Sequence, residues 1–257
     1  FDLPADSAGY INYSGRGYKA WCWKANGGTT TTNDASSTSI GTIDSVFQAN
    51  DTSGFSIVTY TGTGVAGTVK HGLSVAPSLV IIKSRTTASP SNWVIGQDAI
   101  GFTGQNYFTD ISAFSTNSGS FNNTAPTSSV VSIGTDQTTN GNTATYVMYC
   151  FANVDGFSRI GSYEMNARSD GPFIYTGFRP AWLLTRPIDQ NGNWSIYDSV
   201  RDPFNDGDAN MSFAGNNTIE SGFAASAVDF LSNGFKLRHS SDGYSNIASN
   251  TAIFMAF

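Results

Sequence analysis

Short motifs recur in the same order along this chain, about one hundred residues apart, and a recurrence of that period restricts the fold to modules that stack or pack on one another. Gly54-Phe55-Ser56 answers Gly156-Phe157-Ser158. Each stands behind an Ala-Asn pair and an acidic turn, and ahead of a tyrosine, Tyr60 or Tyr163. Pro77-Ser78-Leu79-Val80-Ile81-Ile82-Lys83 answers Pro180-Ala181-Trp182-Leu183-Leu184-Thr185-Arg186, and Asn92-Trp93-Val94-Ile95 answers Asn193-Trp194-Ser195-Ile196. Asp98 and Asp198 follow those runs, and Thr145 to Phe151 answers Thr251 to Phe257. A shorter echo, Tyr18-Lys19-Ala20-Trp21-Cys22-Trp23, has the look of a module end, with Trp21 on Tyr149 and Trp23 on Phe151. The reading that follows has four parts. Residues 1–26 are closing strands of a preceding or truncated module, and 27–48 are a Thr/Ser-rich linker. Residues 49–152 form one β-sandwich module and 153–257 a second.

Within each copy the apolar runs are short and rich in β-branched and aromatic residues, cut by Gly, Asn and Ser, which suits strands and tight turns. In the first copy the strand-like runs are Phe55–Tyr60, Thr68–His71, Leu79–Lys83, Trp93–Gln97, Tyr107–Ile111, Val130–Ile133 and Thr145–Phe151. So many short strands in about a hundred residues is the sandwich pattern. The fold class expected is all-β, as tandem β-sandwich (jelly-roll-like) modules with little or no helix, at most one near Ile219–Ala225. Asn140-Gly141 and Asn233-Gly234 are hairpin signals. The run Tyr146 to Phe151 is apolar on both faces. That places it in the centre of a sandwich or against a neighbouring module.

Only 12% of the residues are charged, the net charge is −6, and Glu occurs only at Glu164 and Glu220. No window clusters Lys and Arg, which argues against a nucleic-acid partner. No apolar run approaches the length of a membrane-spanning helix. Two cysteines, Cys22 and Cys150, are too few for a disulfide framework or a structural zinc site.

Several motifs resemble a family of bacteriophage tail-fibre and virion structural proteins of the marine-phage type. They are Gly54 to Gly62, His71-Gly72-Leu73, Ala76-Pro77, Asn92-Trp93, Tyr146 to Ala152, Asp170 to Trp182, and Asp229 to Arg238. Ala20-Trp21-Cys22-Trp23-Lys24-Ala25 is similar too, although the family more often has Asn or Thr where Cys22 stands. The likeness covers nearly the whole chain. It implies a virion component in the phage tail, exposed to the extracellular medium, that contacts other tail proteins and a host-surface glycan. It also implies a homo-oligomer, with a trimer favoured. The family carries no catalytic residues to transfer.

The residues themselves offer few sites. Asp98 and Asp198 lie in different copies, whereas a glycosidase needs two carboxylates across one cleft. His71 and His239 are not at matched positions, and no Gly-x-Ser-x-Gly elbow supports a nucleophile, so no enzyme is expected. Asp202, Asp206, Asp208 and Asn210 place oxygen ligands in a Gly-containing loop that could take Ca²⁺, without the distal Glu of an EF-hand. Tyr10, Tyr13, Tyr107 and Tyr244 stand in loop-like contexts where aromatic rings could stack on sugars. The expected function is a non-enzymatic phage structural protein. The alternatives are a carbohydrate-binding module, a capsid-decorating protein and a polysaccharide-degrading enzyme.

Overall fold

In the computed structural model, which describes residues 13–15, 17–86, 92–108, 110–205, 209–214, 221–223, 228–240 and 245–257, the apolar runs become antiparallel strands. The first copy holds β1 (Thr31–Asn33), β2 (Ser45–Asn50), β3 (Phe55–Thr61), β4 (Gly67–Lys70), β5 (Leu79–Ser84), β6 (Trp93–Gln97), β7 (Gly104–Tyr107), β8 (Ser115–Thr116), β9 (Val130–Ile133) and β10 (Thr145–Phe151). Eight of them form one sheet in the order β1-β2-β3-β10-β5-β6-β7-β8, and β4 pairs with β9 in a second, small sheet.

The second copy holds β11 (Arg159–Glu164), β12 (Phe173–Tyr175), β13 (Trp182–Pro187), β14 (Trp194–Asp198), β15 (Ala209–Ala214), β16 (Ser221–Phe223), β17 (Val228–Leu231), β18 (Gly234–Leu237) and β19 (Thr251–Ala256). Its large sheet runs β11-β19-β13-β14-β15-β16, and its small sheet β12-β18-β17. The order β3-β10-β5-β6-β7 is thus repeated as β11-β19-β13-β14-β15. Register carries the match to single residues: Tyr60 lies opposite Tyr146, and Tyr163 opposite Ala252. The same register shifts two motif matches by one residue. Asp198 pairs with Trp182 as Gln97 pairs with Leu79, so the counterpart of Asp198 is Gln97 and not Asp98. Phe55 lies opposite Phe151, whereas Phe157 falls just outside β11.

Alternation along the strands sorts the apolar side chains into three cores. Val58, Val80, Ile82 and Met148 face the small sheet's Val69, Val131 and Ile133. Tyr163, Leu183, Tyr197 and Phe254 face Ile174, Phe230, Phe235 and Leu237 of the other small sheet. A third core lies between the two large sheets, where Phe55, Leu79, Ile95 and Phe151 meet Trp182, Leu184, Ile196 and Met255. The layers therefore run small sheet, large sheet, large sheet, small sheet. The strand β10 is buried throughout on one face, where Tyr146, Met148 and Cys150 enter the first core, and in part on the other, where Phe151 and the half-buried Tyr149 reach the third.

Matched faces make this central contact. Leu79 and Trp182, Ile81 and Leu184, and Phe151 and Phe257 are counterparts in register, and all lie in it. Self-complementary contact of one patch with its own copy is the geometry of an isologous dimer, here written within one chain.

The structure differs from the sequence reading at five places, the first being β7, which spans Gly104–Tyr107 instead of the expected Tyr107–Ile111. Residues 27–48, expected as a linker, carry β1, the short helix α1 (Ala35–Thr38) and the start of β2. Ser45 to Asn50 pair along the whole of β3, and Ile43 and Phe47 are buried in the first core. Polar composition hid this, because only every second residue of the arm faces inward. Residues 17–24, expected within closing strands, form no strand, and they are tied down by the two indoles instead. Asn140-Gly141 ends a one-turn helix, α3 (Gln137–Asn140), instead of turning a hairpin, whereas β17 and β18 do form one, with Ser232 and Asn233 at its turn. Helix appears as α1, α2 (Ser118–Phe121) and α3, while within the stretch expected to be helical Ser221–Phe223 is a strand.

Candidate functional site

The third core is not completely filled. A cleft of about 370 Å³ opens between the large sheets, floored by Ile81 and Leu184 and walled by Trp21, Trp23, Phe108 and Trp182. Trp23 reaches it from the N-terminal segment and meets Phe151, Trp182 and Phe257, with ring centroids 6.0, 5.4 and 5.3 Å away. Trp23, Phe151 and Phe257 are the counterpart residues of the three motif echoes, and Phe151 and Phe257 lie 6.2 Å apart. Tilted and edge-on contacts of this kind suit the ring quadrupoles.

One carboxylate stands beside the cleft. Asp198 accepts from Trp21 Nε1 at 3.1 Å and from the Val200 N–H at 2.8 Å, and it pairs with Arg201 at 3.5 Å. Burial pushes this carboxyl up, but the hydrogen bonds and Arg201 outweigh it and hold the group below the ordinary aspartate range. It is an ionised anchor for Trp21, not a proton donor. Asp98, in contrast, is raised by burial, partly offset by a hydrogen bond from Ser78. The wall of the cleft can hold an apolar group, but no acid–base pair converges on it among the described residues.

The loop after β7 closes one end of the cleft and clamps the modules together. Arg186, fully buried on β13, donates to the carbonyl of Tyr107 at 2.7 Å and to that of Ser112. Trp194 Nε1 donates to the same Tyr107 carbonyl at 3.0 Å, and Phe108 stacks on the Trp194 ring at 5.2 Å. Burial pushes the guanidinium down to about 10, against the pull of Asp110, which leaves it charged at neutral pH. Its Cζ lies 5.2 Å from the Trp194 ring centre, and the matched Lys83 lies 5.9 Å from that of Trp93. The same cation–aromatic pair thus occurs in both copies, and in the second the other module's loop covers it.

A second matched pair escaped the sequence reading. Asn140 and Asn246 are both fully buried, each five residues before the first residue of its closing strand. Asn140 Nδ2 donates to the carbonyls of Val65 (2.8 Å) and Gly134 (2.7 Å), and its Oδ1 accepts from the Thr63 N–H at 2.8 Å. Asn246 Nδ2 donates to Arg168 (3.0 Å) and His239 (2.6 Å), and its Oδ1 accepts from Asn166 (2.9 Å) and Ala167 (3.1 Å). Each amide staples the loop after the module's first repeated strand to the loop after its small sheet. Two asparagines at a fixed offset before a repeated strand were the available signal.

The other sequence candidates fall as follows. Asp206 and Asp208 lie outside the described residues, as does the side chain of Asn210, whose backbone lies in β15. Asp202 is half-buried, with its N–H on the Asp198 carbonyl at 3.1 Å. Among the described residues no three His, Cys, Asp or Glu side chains gather as a metal site would require. Tyr10 and Tyr244 also lie outside the described residues. Tyr13 is exposed, while Tyr107 is half-buried and its hydroxyl accepts from Gln105. His71 is buried, its Nε2 hydrogen-bonded to the Thr127 carbonyl (3.1 Å) and its Nδ1 accepting from Leu73 (3.2 Å), a structural role. His239 is buried beside Ser245 at 3.3 Å, in a polar cluster that includes Tyr163, Thr185 and Tyr197.

One family model, described as Domain of unknown function (DUF7483), matches residues 1–257, and the chain belongs to that family. Neither the curated proteins nor the solved structures contain a match to it.

Proposed function

For this member of a family without assigned activity, we propose a non-enzymatic structural role in a bacteriophage tail, as a fibre or appendage component that takes part in host attachment. The observation that carries the reading is how the chain uses its repeated positions. The three matched aromatics Trp23, Phe151 and Phe257 meet in one cluster, and the matched Asn140 and Asn246 each staple loops inside a core. Repeated positions spent on stiffness suit a load-bearing arm. The motif likeness to phage tail proteins supplies the setting, and several copies on one particle would add avidity to weak single contacts.

Electron microscopy of purified virions labelled with an antibody to this chain tests the proposal. Label on tail appendages is the expected result. Label on the capsid alone would place the chain among decorating proteins and overturn the tail assignment.

A further inference from the structure

Among the described residues, the two modules differ most where the first has an arm and the second has none. In the first, β2 covers the outer edge of β3 from Asn50–Phe55 to Ser45–Tyr60. The same arm continues onto β4, where the N–H groups of Thr42 and Ile43 reach the Thr68 carbonyl at 2.9 and 3.1 Å. In the second module the strand that corresponds to β3 is β11, and it is the outermost strand of its sheet. The counterpart of β4 is β12, whose Phe173 and Tyr175 are 45% and 65% exposed. Tyr175 partly replaces the arm. Its ring lies over Gly177 (φ +88) as the arm's Phe47 lies over Gly72 (φ +83).

Hydrogen bonding shows which groups β11 offers. Met165 N–H donates to the Asn250 carbonyl at 2.8 Å, so the odd-numbered residues of β11 bond to β19 and the even-numbered ones point away. Asn153 Oδ1 already takes the Ile160 N–H, at 2.7 Å. Among the described residues, that leaves the carbonyl of Ile160 and both backbone groups of Ser162 and Glu164 along the open edge. Proline, lysine and bulges, the usual guards of an open edge, are missing from Arg159–Glu164.

We propose that β11 pairs antiparallel with β11 of a second copy of this chain, across a two-fold axis at Ser162. The register follows from the outward groups. Ser162 faces its own counterpart with two reciprocal bonds; each Glu164 N–H meets the Ile160 carbonyl of the other copy, and each Glu164 carbonyl takes over the Ile160 N–H from Asn153, whose side chain turns out of the edge. In a two-fold pairing like meets like only on the axis, and there the residue is a serine. Glu164 lies opposite Ile160 and Arg159 opposite Met165, so no like charges confront each other. The two six-stranded sheets become one, and the small sheets carrying Phe173 and Tyr175 come onto the same side of it, beside the axis. The proposal rests on the assembly part of the structural role above, but replaces the three-fold expectation with a two-fold one.

Sedimentation equilibrium of the purified 257-residue chain tests it without any virion, so its failure would leave the tail assignment standing. The wild type and Ser162→Ala are expected to be dimers. Ser162→Pro removes an N–H that has no partner among the described residues of one chain, and Ser162→Lys sets two like charges face to face on the axis. Both variants are expected to halve the mass while keeping the wild-type circular dichroism. Ser162→Lys decides the matter if the proline variant fails to fold. A monomeric wild type, a trimer, or a dimer that survives Ser162→Lys would overturn the proposal.

Discussion

Replacing Asn140 with alanine removes three hydrogen bonds from a fully buried site and puts nothing in their place. The Thr63 N–H and the carbonyls of Val65 and Gly134 each lose a partner at 2.7–2.8 Å. The Gly134 carbonyl is buried and left unsatisfied, whereas the Val65 carbonyl keeps the Thr63 hydroxyl at 3.0 Å and Thr63 and Val65 lie at the surface, so the loss should reach roughly 2 kcal/mol. The matched Asn246→Ala removes four bonds from an equally buried site and should cost a similar amount. Urea unfolding followed by tryptophan fluorescence reads both. With a slope of about 2–3 kcal/mol/M for a chain of this size, each midpoint should fall by roughly 1 M. Asn140→Asp should be worse than alanine at neutral pH, because a buried carboxylate cannot donate to two carbonyls and carries an unpaired charge. A loss below about 1 kcal/mol in either alanine variant, or an aspartate tolerated as well as the native amide, would refute the staple reasoning.

Three further outcomes follow from the cores. Trp23→Ala should cost about 2 kcal/mol in the same assay, since a half-buried indole loses contact with Phe151, Trp182 and Phe257; an unchanged midpoint would mean that the N-terminal segment adds nothing to the third core. His71 is held neutral by burial, which lowers its proton affinity below the ordinary histidine value of 6.5. Its unfolded form therefore binds the extra proton, and stability should fall as pH drops below about 6.5, by up to ~1.4 kcal/mol per pH unit; His71→Gln should flatten that slope in pH-dependent urea melts. Burial pushes the Cys150 thiol up to about 12, whereas Cys22 is exposed, so a thiol reagent should label one cysteine in the native chain and two in urea; two fast-reacting thiols without denaturant would contradict the packing of β10.

The parts of the fold that could be read in the sequence are those set by local alternation. The runs at Trp93–Gln97, Val130–Ile133 and Thr145–Phe151 became strands with those bounds, because each carries its own apolar pattern and its own turn residues. The arm at 27–48, expected as a linker, is placed by distant partners that local pattern does not reveal: Ile43 bridges to Val69, and β2 is a strand because β3 offers an edge. Arg186 reads as a polar interruption in an apolar run, and nothing near it announces that the loop from Tyr107 to Ser112 of the other module will supply its acceptors. The one-residue slip at Phe157 has a similar origin. Motif spacing counts residues, whereas register counts hydrogen bonds, and the Val154–Ser158 bridge absorbs the difference. The glycan and calcium expectations leaned on loop residues, which carry no periodicity to place them.

The central claim is that matched faces weld the two modules into one body through Trp182, Leu184, Leu79, Phe151 and their neighbours. Differential scanning calorimetry tests it most directly, compared with the melt of a fragment comprising residues 153–257. The account predicts one cooperative transition for the whole chain, with calorimetric and van't Hoff enthalpies equal, and a fragment that melts far lower or does not fold because half of the third core is laid bare. Two separate transitions in the whole chain, with the fragment reproducing one of them, would contradict it.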